Sequence, residues 1–304
     1  MHILLSVLLL ASVLSAVAEK TRVLFLTQSQ GFMHQPVKRG DKPLAPAEEA
    51  LIALGKECGL FQVDCTQDAS TLTKAKLDEY DIVAFYTTGD LPIAEADFDY
   101  FVGDWLREKG HGFIGFHSAT DTYKNKEAYW DLVGGSFDGH PWGANTLDVM
   151  TVHDTSHPAM APYDAEFAFR DEIYQYKNWQ PEKVKVLMSL NMAKCQVKRP
   201  YHVPVAWVKE VGHGKMFYTN LGHRLETWKD DQFKASIVGA VKWIRGDAEG
   251  DATPNPELSK AVHEASIKAA NEAGMTKEFL EEQERQRAER RRQAQERRRQ
   301  AQND

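Results

Sequence analysis

The chain has 304 residues, of which 42% are hydrophobic, 27% charged and 10% aromatic. That globular mix excludes collagen-like, disulfide-knot and wholly disordered proteins. With 37 Lys and Arg against 44 Asp and Glu the net charge is −7, so no overall field draws the protein to phosphate backbones and no nucleic-acid partner is expected. Cys58, Cys65 and Cys195 are odd in number and lack C-x-x-C spacing, which excludes a disulfide scaffold and a thiolate zinc knuckle. A single Cys58–Cys65 bridge and free buried thiols are both left open.

Residues 1–18 carry no acidic or basic side chain, run apolar from Ile3 to Val13, and end in Ala16-Val17-Ala18 before Glu19-Lys20. They read as a secretory signal cleaved after Ala18, which places the mature protein in the periplasm or outside the cell. The alternative is an uncleaved anchor, but the apolar run falls short of the ~20 residues that span a bilayer. Next come short apolar runs at Arg22–Thr27, Gln62–Cys65, Ile82–Tyr86 and Gly112–Phe116, the pattern of strands covered on both faces. Between them Ala47, Leu51, Leu54 and Cys58 form one helical stripe, and Phe98, Phe101, Val102, Trp105 and Leu106 another. Strand and helix alternate, which predicts a parallel sheet with helices on both faces.

Residues 123–200 are irregular, with strand-like pieces at Thr146–Val152, Glu166–Phe169 and Val184–Leu190 among Gly, Pro, His and aromatic residues. Irregular stretches of this kind build binding sites. Pro204–Glu210 and Lys215–Thr219 flank Gly212-His213-Gly214 as a hairpin. A last helix puts Phe233, Ile237, Val241 and Ile244 on one face and stops at Gly246. The folded domain is therefore expected to span 19–246. Residues 247–304 read as a linker at Thr253-Pro-Asn-Pro256 and a charged tail which, from Glu278 on, is nearly all Glu, Gln, Arg and Ala, helical by propensity and without an apolar stripe. Its Arg290–Arg292 and Arg297–Arg299 clusters either contact an anionic surface or are simply solvated.

Ligands of open parallel sheets bind beyond the carboxyl ends of the strands. His34 follows the first strand, His117 the fourth and His223 the last, so three imidazoles are expected to converge. Around them stand His140, Asp121 and the acidic pair Asp171-Glu172. Imidazole with carboxylate can hold a divalent metal such as zinc or supply a general acid and base, although the acidic pair alone would also suit a solvated turn. Trp142, Trp179, Tyr123 and Tyr174 suit either stacking on a sugar face or a core role. No nucleotide cofactor is expected.

Gly115-Phe-His117-Ser-Ala-Thr-Asp121, Tyr129-Trp-Asp-Leu-Val-Gly-Gly135, Phe137-Asp-Gly-His-Pro-Trp142, His157-Pro158, Asp171-Glu-Ile-Tyr174, Pro204-Val-Ala-Trp207 and Leu221-Gly-His223 together resemble the trehalose-utilisation (ThuA-like) family, from about Arg22 to Gly246. The resemblance implies a flavodoxin-like, class I glutamine-amidotransferase-like α/β fold: a three-layer sandwich around a parallel sheet, here with a helical tail. In amidotransferases of this fold a nucleophilic Cys sits at the elbow after the strand; the matching position here is His117, so glutamine hydrolysis through a thioester is not expected. His223 looks like the counterpart of their histidine after the last strand. The family's implied setting is disaccharide and glycoside use beside sugar oxidoreductases that make 3-keto sugars. The expected function is isomerisation, elimination or hydrolysis of such a sugar, assisted by metal or imidazole, and the alternative is a non-catalytic carbohydrate-binding or scaffold protein. On this reading His117, His223, Asp121 and Glu172 are catalytic, and Trp142, Tyr123, Tyr174 and Asp171 bind substrate. His34, His117, His140 and His223 are the candidate metal ligands.

Overall fold

The computed structural model describes residues 20–303; the leader expected at 1–18 lies outside them. Among the described residues no helix is long and apolar enough to cross a membrane. Strands β1 (Thr21–Leu26), β2 (Phe61–Thr66), β3 (Ile82–Phe85) and β4 (Gly112–Phe116) pair in parallel with β11 (Gly214–Thr219), in the order β2-β1-β3-β4-β11. Helices α1 (Pro46–Cys58) and α5 (Asp231–Arg245) cover one face, where Leu51, Leu54, Phe233, Ile237 and Val241 are buried. The other face is packed by α3 (Glu95–Gly103) and α4 (Glu127–Val133), through Phe98, Phe101, Leu132 and Val133, while α2 (Lys74–Leu77) is one short turn. Both faces of the central strands are thus buried, which is why β3 and β4 read as unbroken apolar runs.

The sheet continues past β11 with reversed polarity. β10 (Pro204–Val211), β9 (Lys185–Leu190), β6 (Leu147–Val152) and β7 (Glu166–Arg170) extend it to nine strands, all antiparallel to their neighbours. The sheet is therefore mixed: the strands of the alternating region are parallel as expected, and the expected hairpin of β10 and β11 begins an antiparallel extension. Gly212, at φ +64°, turns the β10–β11 hairpin and fixes the first reversal. A small ribbon of β5 (Ser136–Phe137) and β8 (Tyr176–Lys177) stands apart from the main sheet.

Folded structure also continues past Gly246, which caps α5 at φ +78°. Lys185 holds Asp251 at 2.8 Å, and the Asn255 side chain bonds both the N–H and the carbonyl of Val186, at 2.8 and 3.0 Å, as a strand residue would. α6 (Pro256–Glu272) then lies against β9. It buries Ser259, Ser266, Ala269 and Ala270, a stripe of small side chains that a search for large apolar residues passes over. α7 (Lys277–Asn303) buries Leu280 near its start and carries helical pairs such as Arg285–Glu282 at 2.8 Å.

One buried group works against the fold. Asp148 on β6 is 0% exposed, and neither carboxylate oxygen meets a donor in hydrogen-bonding geometry. Burial pushes its pKa from 3.8 up to about 6, offset only in part by the Cys195 thiol and Lys198. Below pH 4 the group is protonated folded and unfolded and costs nothing; the penalty grows between pH 4 and 6 and is complete above pH 6. Asp148→Asn is expected to raise stability by about 1–3 kcal/mol at pH 7 and by almost nothing at pH 4. Equal gains at both pH values in thermal unfolding would contradict this account.

Candidate functional site

His34 lies in the loop after β1, His117 opens the turn after β4, and His223 follows β11, while Glu172 arrives on the segment between β7 and β8. Their ligand atoms all lie within 4.8 Å of one another, and all but His223 are buried. The three histidines expected at the strand ends do converge: their ring centroids are 4.9 to 5.2 Å apart.

His117 has φ +41°, a conformation that L-residues seldom adopt, so the turn after β4 is a strained elbow that presents an imidazole. Tyr218 donates its hydroxyl to the His117 carbonyl, and Tyr129 donates to the Ala119 carbonyl at 2.9 Å, which hold the elbow in place. His117 Nδ1 lies 2.7 Å from the Asn220 carbonyl oxygen. A carbonyl only accepts, so Nδ1 carries the proton and, in neutral imidazole, Nε2 keeps its lone pair for the site. That Nε2 is 3.2 Å from His223 Nδ1, which also meets Glu172 Oε2 at 3.1 Å. Burial alone would push the Glu172 carboxyl up, but His117 and His223 outweigh it and hold it well below the usual carboxylate range. For His223 the Glu172 carboxylate overcomes burial and raises the pKa. His34 is held down to about 2 by burial and by the neighbouring imidazoles. It is a neutral ring whose Nε2 meets the Tyr174 hydroxyl at 3.1 Å and whose buried Nδ1 has no hydrogen-bond partner.

Three imidazoles and one carboxylate are a zinc-type donor set. Ligand atoms on a tetrahedral zinc lie about 3.4 Å apart, so a small contraction of this cluster would suffice, and the residues fit such an ion. His140, expected as a ligand, is instead at the rim: its side chain is 56% exposed and its Nδ1 meets Glu172 Oε1 at 3.1 Å. Glu172, expected only as a catalytic group, takes its place among the donors.

The remaining expected residues have other work. Asp121, expected among the catalytic residues, instead pairs with Lys124 at 2.6 Å. Trp142 is wholly buried and donates to the Gln196 carbonyl, and Tyr123 is buried and donates to the Leu91 carbonyl; neither face is open to a sugar. Tyr174 is buried 4.2 Å from the His117 ring and orients the histidines. Asp171 is buried too, and its carboxylate accepts from the Gly222, Arg224 and Glu172 N–H groups and the Thr227 hydroxyl. It thereby clamps the loop that carries His223.

Two residues that sequence reasoning passed over complete the frame. Asn220 orients His117, and Tyr86, at the end of β3, donates to the Gly222 carbonyl at 3.0 Å. Position after a strand was the available signal for both. Cys58, Cys65 and Cys195 are free, and none lies at the elbow. A cavity of about 510 Å³ lined by Trp179, Tyr201, His202 and the α6 residues Ser259, Lys260 and His263 contains none of the cluster.

Residues 22–244 match the family described as trehalose utilisation, ThuA. The chain belongs to the ThuA family. Among solved structures, a ThuA-like protein from Bacteroides uniformis superposes with a TM-score of 0.59 at 23% identity, covering 80% of this chain and 97% of that one. Another, from Parabacteroides merdae, gives 0.60 at 13% identity, covering 79% and 99%. At these identities the likeness shows a shared fold. No curated protein matches the chain. The matched span includes His34, His117, Glu172 and His223.

Proposed function

We propose that the protein acts on an oxidised sugar or glycoside, a 3-keto sugar above all, by proton transfer at the His34, His117, Glu172 and His223 cluster with a divalent metal such as zinc. The observation that carries this reading is the convergence of three imidazoles and one carboxylate at the carboxyl ends of the strands, with His117 already oriented by the Asn220 carbonyl. When bound, the ion would polarise a sugar carbonyl or hydroxyl. His34, Glu172 and His223 would hold it together with His117 Nε2, and Tyr174 fixes the His34 ring. His140 is solvent-facing and bonded to Glu172, which suits it to exchange protons with a bound sugar.

A second reading is a carbohydrate-binding protein. The observation favouring it is the depth of the cluster: His34 and His117 have almost no exposed surface, and of the imidazoles around Glu172 only His140 and His223 keep some. Zinc-loaded full chain incubated with 3-keto-trehalose and followed by NMR separates the two. Conversion is expected, slowed by at least about 100-fold in His117→Ala. Binding without conversion favours the second reading, and neither binding nor conversion sinks both.

A further inference from the structure

Trp142, Tyr123 and Tyr174 are spent on the core, yet the Phe32 ring beside the cluster is not. Phe32 is 68% exposed and Met33 50% exposed, and both immediately precede His34. The Phe32 ring stands edge-on to the His34 ring at 4.9 Å between centroids. This exposure does not come from a loose loop. Gln30 N–H donates to the Thr88 carbonyl at 2.8 Å, Gly31 N–H to Thr88 Oγ1 at 3.1 Å, and Thr88 Oγ1 to the Phe32 carbonyl at 3.0 Å. Gly89, at φ +76°, lets the two loops approach so closely that a Cβ there would lie 3.0 Å from Gln30 and Gly31. The backbone is thus pinned on both sides of a phenyl ring that buries little of itself, an arrangement that gains nothing for the fold.

The polar groups with some exposure beside it are His140, Glu172 and His223, and the partly exposed Phe137 ring stacks on His140 at 6.1 Å. A ligand matching both sides has one apolar face and a hydroxylated edge, which describes a pyranose ring. We propose that Phe32 is the platform on which the substrate's sugar ring rests, its C–H face on the phenyl ring and its hydroxyls toward His140, Glu172 and His223. This rests on the carbohydrate reading of the site. Phe32 sets affinity and ring orientation, and it takes no part in metal binding.

The test is calorimetric titration of zinc-loaded full chain with trehalose and 3-keto-trehalose, comparing wild type with Phe32→Ala, Phe32→Trp and Phe279→Ala, the last altering an exposed ring on α7. Phe32→Ala is expected to weaken binding about five- to tenfold with unchanged zinc content and thermal midpoint, Phe32→Trp to restore it, and Phe279→Ala to match wild type. Equal affinity of wild type and Phe32→Ala would overturn the inference while leaving the carbohydrate reading standing. Sugar binding by none of the proteins would overturn both. A change in sedimentation of Phe32→Ala with no change in sugar affinity would overturn it in favour of a contact between copies of the chain.

Discussion

Full-length protein reconstituted with zinc is expected to retain close to one ion per chain after desalting, and His117→Ala and His117→Asn to retain almost none. His117 is the donor that the fold invests in most: its backbone is strained, its carbonyl is held by Tyr218, and its Nδ1–H is fixed on Asn220. Orientation of this kind is the outer-shell support typical of metal-ligating histidines, and loss of one such partner alone costs about 10–100-fold in affinity. Asn is the useful second variant because it tolerates positive φ, so the elbow survives while the donor is lost. His140→Ala removes only a rim residue behind Glu172 and is expected to weaken zinc by about tenfold. Binding should also register as stability, since a ligand at 1,000 times its Kd adds about 4 kcal/mol to unfolding. Elemental analysis with thermal melts, with and without zinc, reads both. Zinc retained by His117→Asn, or no uptake by wild type, would remove the metal from the account.

Much of this site was legible in the sequence because its parts sit at strand ends. β4 reads as Gly112–Phe116 from its apolar run, and His117 follows it directly; the same logic places His34 and His223. What could not be read is how the irregular 123–200 stretch folds over them. Asp171 and Glu172 are adjacent and chemically alike, yet one turns into the loop before His223 and the other into the cluster. Only the three-dimensional path of the segment decides which does which. The aromatics misled for a related reason. Trp142 and Tyr123 look like sugar platforms by composition, but their polar atoms reach backbone carbonyls inside the protein, whereas Phe32, with no polar atom to satisfy, faces solvent beside His34. The expected tail helix is α7, whereas α6 before it does not stand out in the sequence because it packs through Ser and Ala, which carry little hydrophobicity.

Asp171→Ala is expected to cost about 3 kcal/mol or more of stability and to lower zinc affinity by about 10–100-fold, although Asp171 is not itself a donor. Oδ1 accepts from the N–H groups of Glu172 and Arg224, at 2.9 and 3.2 Å, and Oδ2 from Gly222 N–H and the Thr227 hydroxyl, at 2.8 and 2.9 Å. Burial pushes the Asp171 pKa up, but each oxygen already receives two donors and no acceptor remains for a carboxyl proton, so the carboxylate is the form that fits. Truncation to alanine leaves three backbone N–H groups in the interior without partners and frees Gly222, which at φ +127° sets the turn into His223. Asp171→Asn distinguishes charge and donor geometry from mere shape. Its NH₂ group must face two donors on one side or the other, so most of the loss should persist despite equal volume. Thr227→Val removes a single donor and should cost only about 1 kcal/mol with zinc affinity unchanged. Urea unfolding with zinc titration of the three variants measures each quantity separately. An Asp171→Asn protein with wild-type stability and zinc affinity would show that the carboxylate does not hold the His223 loop.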